Sequence, residues 1–166
     1  MTDGSAQADA AGTLPAAQAA LAAEHAAVYG YGVLGGRLEG ARRTDARTAH
    51  DAHRARRDAL VRTVRDLGGT PVAADAAYAL PFAVPDPSAA LRLAAVLEDR
   101  VAAVYSDLVR AAGGPLRQEA AGALREAAVR AVRWRGTGVA FPGLAEKAAA
   151  DPSDPTAEAG ATGVTH

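Results

Sequence analysis

Two glutamates occupy positions that the surrounding pattern reserves for apolar side chains. Glu24 breaks the ladder Leu21, Val28, Tyr31, Leu38, and Glu98 breaks the ladder Leu91, Ala94, Val101, Tyr105, Leu108. In each ladder a tyrosine follows the acid seven residues later, Glu24 to Tyr31 and Glu98 to Tyr105. Seven residues is about two helical turns, so acid and tyrosine share one inward stripe. A charge on a buried stripe is costly unless it is paired, hydrogen-bonded or bound to metal. Two such charges in matching frames point to a helical bundle with a polar centre, the layout in which bundles build carboxylate metal sites.

The chain of 166 residues is long enough for one domain with a real core. Its net charge of −1 gives no global field that would favour nucleic acid or a membrane surface. Cysteine is absent, which excludes disulfides, thiolate metal sites and thiol catalysis together. No basic start with an apolar run opens the sequence, and no stretch has the length of an uncharged membrane span. The expectation is a soluble, cytoplasmic protein with no membrane partner. Two phenylalanines and one tryptophan leave a core of mostly Ala, Leu and Val, small side chains that let helices approach closely.

Punctuation along the chain predicts a disordered N-terminus over residues 1–12, a four-helix bundle over 13–142 and a flexible C-terminal tail over 143–166. Thr13 can cap the first helix with Pro15 in its first turn, and this helix runs to about Glu39. Gly32 and Gly36, four apart, form a candidate close-packing notch. The second helix starts near Thr44 or Asp45 and ends at Gly68-Gly69. Asp86-Pro87-Ser88 opens the third, Gly113-Gly114 closes it, and Pro115 starts a fourth that reaches about Arg135. Short turns join helices 1 and 2, and helices 3 and 4, so each pair is an antiparallel hairpin. The remaining link, residues 68–87, is unusually long for a compact domain. Its twenty residues can span up to about 66 Å extended, whereas a helix of about 24 residues is about 36 Å long. The link can therefore travel the whole bundle, packed through Val72, Tyr78, Leu80, Phe82 and Val84, and the third helix can start at the same end as the second. Two antiparallel hairpins joined by one long crossover is ferritin-like topology.

Helix 2 carries His50 and His53, spaced to share a helix face. His53 falls in the frame of Leu60, Val64 and Leu67 and points inward. Carboxylates from helices 1 and 3 and imidazoles from helix 2 suit iron, manganese or zinc. His25 lies about 100° round the helix from Glu24 and reads as a surface residue. Tyr31 and Tyr105 read as core aromatics whose hydroxyls bond the central acids, and Trp134 as a plug at the bundle end. Helix 2 also bears eight arginines between Arg42 and Arg65 against Asp45, Asp51, Asp58 and Asp66. That pattern is a solvated face with ion pairs, since no aromatic interleaving marks a nucleic-acid surface.

Four stretches carry a resemblance: Leu-Ala-Ala-Glu-His-Ala-Ala-Val-Tyr-Gly-Tyr-Gly, His-Arg-Ala-Arg-Arg-Asp, Tyr-Ala-Leu-Pro-Phe and Ala-Val-Arg-Ala-Val-Arg-Trp-Arg-Gly. With these the chain resembles the ferritin-like superfamily, and within it an actinobacterial ferritin-like domain family of unknown function, over about residues 14–142. In the di-iron members, helices 1 and 3 each give a Glu, and helices 2 and 4 each give Glu-x-x-His. Glu24, Glu98 and His53 match that pattern. The bridging glutamate of helix 2 does not, because His50 stands three residues before His53. Helix 4 departs entirely: the position equivalent to His53 is Ala127, and Arg130 lies one turn further on. A guanidinium there could sit in place of the second metal and neutralise Glu24 or Glu98.

The resemblance thus implies a degenerate di-iron site with Glu24, His50, His53 and Glu98 as candidate metal ligands and Tyr31, Tyr105 and Arg130 as polar partners in the core. The leading expectation is a non-catalytic scaffold or interaction protein that binds an unknown protein partner or forms a homodimer through helix 1 or 2. The alternative is a mononuclear metal-binding or redox protein holding one iron, manganese or zinc ion on Glu24, His53 and Glu98. Were it an enzyme, it would be an iron- or manganese-dependent oxidoreductase. A further alternative is nucleic-acid binding through the arginines of helix 2.

Overall fold

A computed structural model describes residues 3–136, with side chains from Gly12 onward. The expected tail over 143–166, and residues 137–142 of the expected bundle, lie outside the described residues. Four helices account for the regular structure, with no strand among the described residues: α1 (Asp3–Gly35), α2 (Gly40–Asp66), α3 (Pro87–Ala111) and α4 (Gly114–Arg135).

Helix ends follow their local chemistry in three places. Asp86 caps α3, its Oδ1 accepting from the Ala89 amide at 2.8 Å, and Pro87 follows in the first turn where its missing N–H costs nothing. After α2, Gly68 takes φ +81°, and the Gly69 amide donates back to the Val64 carbonyl at 2.9 Å, the ring closure of a Schellman stop. Gly136 ends α4 with φ +81°. The other boundaries correct the expectation. α1 begins at Asp3 rather than at Thr13, so residues 3–12 of the expected disordered N-terminus carry helical backbone and Pro15 lies inside the helix. The Thr13 hydroxyl donates instead to the Ala111 carbonyl at 2.6 Å, tying α1 to the end of α3. α1 stops at Gly35, four residues short of Glu39, where two consecutive glycines weaken it. α2 starts at Gly40, ahead of Thr44, with Glu39 as its first flanking residue.

Short links make α1 and α2 one hairpin and α3 and α4 another. The segment between α2 and α3 runs along α1. Near its start the Gln18 amide bonds both ways, Nε2 to the Thr70 carbonyl at 2.6 Å and Oε1 from the Val72 amide at 2.9 Å. His25 Nε2 then meets the Val72 carbonyl at 3.1 Å, and Tyr78 packs on Tyr29 with ring centroids 5.6 Å apart. Val84 ends the climb in the apolar cluster that holds Leu38 and Trp134. Leu80 and Phe82 pack on that cluster from outside, whereas Val72 faces solvent.

The apolar core is divided. One cluster gathers Leu21, Leu60, Val64, Val101 and Leu108, and the other Leu34, Leu38, Leu93, Leu97 and Trp134. Glu24, His53 and Glu98 are fully buried as well, and belong to neither. α1 packs tightly on α3 at Gly30, where a Cβ would sit 2.5 Å from Leu97 Cδ1. The expected notch at Gly32 and Gly36 is not used among the described residues: a Cβ on Gly32 meets nothing within 4 Å. α1 packs on α2 and α3, and α3 packs on α4, but no Cα of α2 comes within 8 Å of one in α4. A groove separates those two helices.

Candidate functional site

The buried polar groups converge on one imidazole. His53 of α2 presents Nδ1 to Glu24 Oε2 of α1 at 2.6 Å and Nε2 to Glu98 Oε1 of α3 at 3.1 Å. A carboxylate only accepts, so an imidazole that satisfies two of them carries both ring protons. Burial alone would lower the His53 pKa, but hydrogen bonds to Glu24 and Glu98, and the charges of both, outweigh it and raise it above the ordinary value.

Each tyrosine serves the acid of the other helix. The Tyr31 hydroxyl of α1 donates to Glu98 Oε1 at 2.6 Å, and the Tyr105 hydroxyl of α3 donates to Glu24 Oε1 at 2.7 Å. A tyrosine two turns from an acid on its own helix is about 10 Å away along the axis and cannot reach it. Because α1 and α3 run antiparallel, Tyr31 lies level with Glu98 and Tyr105 with Glu24. Burial, then the adjacent carboxylate, pushes both phenols up, so they act as donors.

α4 closes the network with a cation. Arg130 Nε donates to Glu98 Oε1 at 2.7 Å. Burial tends to raise the Glu98 pKa, but His53 and Arg130 hold it below the usual carboxylate value. Trp134 Nε1 donates to the Tyr31 hydroxyl at 2.8 Å, and Arg130 Nη1 reaches Glu126 at 3.6 Å. Glu126 is also bridged by Arg56 of α2. Two carboxylates, one imidazolium and one guanidinium balance in charge, which is the condition for burying them together. Three atoms of this network are left over: Glu98 Oε2, Arg130 Nη2 and Arg56 Nη1 are buried without a hydrogen-bond partner.

The structure thus brings together Glu24, His53, Glu98, Tyr31, Tyr105 and Arg130. It does not bring in His50, and as a member of the expected ligand set that residue is corrected. His50 Nδ1 faces Asp51 at 3.3 Å, and the side chain lies on the α1–α2 surface with Gly32, Gly35 and Arg47. Three residues along a helix leave a rotation of about 60°, enough to turn His50 out when His53 points in. The sequence reading gave Glu126, Arg56 and the Trp134 indole N–H no part in the core network. Their signal was available in the spacing: Arg56 lies three residues after His53, and Glu126 four before Arg130.

These residues do not fit a di-iron centre. α4 contributes fully buried Ala127 and the cation Arg130, where that centre needs a bridging carboxylate and an imidazole. Nor do Glu24, His53 and Glu98 surround one point, because the two acids address opposite nitrogens of a single ring. No group of three or more His, Asp or Glu side chains is placed to hold an ion among the described residues. No described helix is long and apolar enough to cross a membrane.

Residues 16–146 match a family described as a domain of unknown function (DUF4439). The crystal structure of a conserved hypothetical protein from Mycobacterium tuberculosis is similar to this chain at 35% sequence identity, with a TM-score of 0.72. That match covers 81% of this chain and 98% of the mycobacterial one. No curated protein matches the sequence.

Proposed function

The chain belongs to the DUF4439 family, and from that premise we propose that it is a non-catalytic, ferritin-like four-helix bundle whose polar centre replaces a di-iron site with a metal-free ion network. The single observation that carries this reading is the Arg130–Glu98 bond of 2.7 Å, by which a guanidinium neutralises the buried acid without metal. The long link climbing α1 and the antiparallel run of α1 and α3 support the ferritin-like assignment. Such a bundle acts through its surface, as a cytoplasmic scaffold or interaction protein, with a second copy or another protein as partner. The arginines of α2 lend little to a nucleic-acid role: Arg57 pairs with Asp58, Arg42 with Asp45, and Arg56 turns to Glu126.

One observation favours the rival reading of a residual metal or redox site. Glu98 Oε2 is buried and unpartnered, a spare ligand beside His53 Nε2. Metal content decides between them, measured by mass spectrometry on untagged protein as purified and after anaerobic iron(II) loading. The network predicts no stoichiometric iron, manganese or zinc under either condition. About one ion per chain, lost in both Glu98→Ala and His53→Ala, would sink the metal-free reading.

A further inference from the structure

The groove between α2 and α4 has no role in the reading above. It encloses about 690 Å³, within the usual range for small-molecule sites. Side chains close it at both ends. Arg56 bridges to Glu126 at one end, and at the other Arg42 stacks over the Trp134 ring with its carbon 5.6 Å from the centroid. Between these ties each helix contributes apolar lining, Ala49 and Ala52 from α2 and Val129, 45% exposed, from α4.

Its charge is unbalanced. Arg42, Arg125, Arg130 and Arg133 line it against Asp45 and Glu126, four cations to two anions. Asp45 lies 3.9 Å from Arg42, and Glu126 is shared by Arg56 and Arg130. No carboxylate among the described residues pairs with the guanidinium of Arg125 or Arg133. Arg130 belongs to the core network instead, its Nε on Glu98 and its Nη2, on the same edge of the guanidinium, buried. A carboxylate can satisfy the unpaired guanidiniums of Arg125 and Arg133 through charge-assisted bonds.

We propose that the α2–α4 groove is a binding site for a small amphipathic carboxylate, its anionic head on the rim guanidiniums of Arg125 and Arg133 and its hydrocarbon body along Ala49, Ala52 and Val129. Charge complementarity selects the anion, and the apolar walls select a body of hydrocarbon over a compact inorganic ion. Binding here needs no metal in the core.

Trp134 is the only tryptophan of the chain and lines the groove, so its emission reports occupancy directly. The full chain is titrated with decanoate, and in parallel with decanol and decylamine. The expected result is a saturable change in Trp134 emission with decanoate, about tenfold weaker with decanol, and absent with decylamine. Arg125→Glu combined with Arg133→Glu weakens decanoate about tenfold. Those rim substitutions leave the buried network intact, and unchanged circular dichroism separates lost binding from lost folding. Val129→Trp in an otherwise unchanged chain fills the groove and blocks decanoate, followed by calorimetry. A decanoate titration without saturation overturns the proposal. So does decanol binding as tightly as decanoate, or decanoate binding untouched by either set of substitutions. Metal content reads the core and not the groove, so the two proposals fail separately.

Discussion

At the scale of single residues, His53 and Arg130 decide the character of this protein. Either side chain removed leaves buried carboxylate without its counter-charge, and breaking a buried pair costs about 3–5 kcal/mol. Arg130→Met is therefore expected to lower stability to chemical denaturation by about that amount, with an unchanged m-value. The pH dependence follows from two opposite shifts. His53 is raised above its usual 6.5, so its contribution is complete below that pH and is lost as pH rises through the folded value. Glu98 is lowered below its usual 4.5, so its contribution is present above that pH and is lost as pH falls through the folded value. Melting temperature should thus peak between about pH 4.5 and 6.5 and decline on the alkaline side. Thermal melts across pH 4–9 check this, and His53→Gln should remove the alkaline slope. A wild-type plateau extending to pH 9 would refute the imidazolium. Of this network, the inward acids, the inward imidazole and the Arg130 option were legible in the sequence. The pairing of each tyrosine with the opposite acid was not, because it depends on the relative direction of two helices.

At the scale of elements, glycine shows how little a residue type says without its neighbours. Gly30 and Gly32 both lie inside α1, and both weaken the helix relative to alanine by about 0.5–1 kcal/mol. At Gly32 an added Cβ meets open space, so Gly32→Ala should stabilise by about that amount. At Gly30 the added Cβ runs into buried Leu97, so Gly30→Ala should destabilise by about 1–3 kcal/mol in spite of better helix propensity. Paired denaturation curves giving the same sign for both would contradict the α1–α3 contact. Helix ends were legible where a side chain does the capping, as at Asp86, or a glycine takes positive φ, as at Gly68 and Gly136. They were misread at Thr13, whose hydroxyl is spent on Ala111, a residue 98 positions away.

At the scale of the whole molecule, the four helices form an incomplete ring, touching in the order α2, α1, α3, α4 and parted between α2 and α4. An open seam of this kind presents surface to a partner or ligand. A separate glycine-bearing face lies between α1 and α2, with Gly32, Gly35 and Gly36 beside Arg47 and His50. The proposed homodimer through α1 or α2 would use that face. Size-exclusion chromatography with light scattering should then give twice the chain mass of 16.7 kDa, and Gly32→Arg should return it to monomer. Monomer alone at every concentration tested would end that proposal and leave a different protein as the partner. The sequence by itself determined an all-α chain, two hairpins, a link long enough to travel the assembly, and two acids and an imidazole turned inward. Those features depend on period, capping and chain length, which are local. Only the tertiary structure decided which charges meet, that His50 turns away, that Gly30 and not Gly32 is the contact, and that a groove opens between α2 and α4. Each of these depends on the direction and separation of helices distant in sequence, and no periodicity within one helix encodes them.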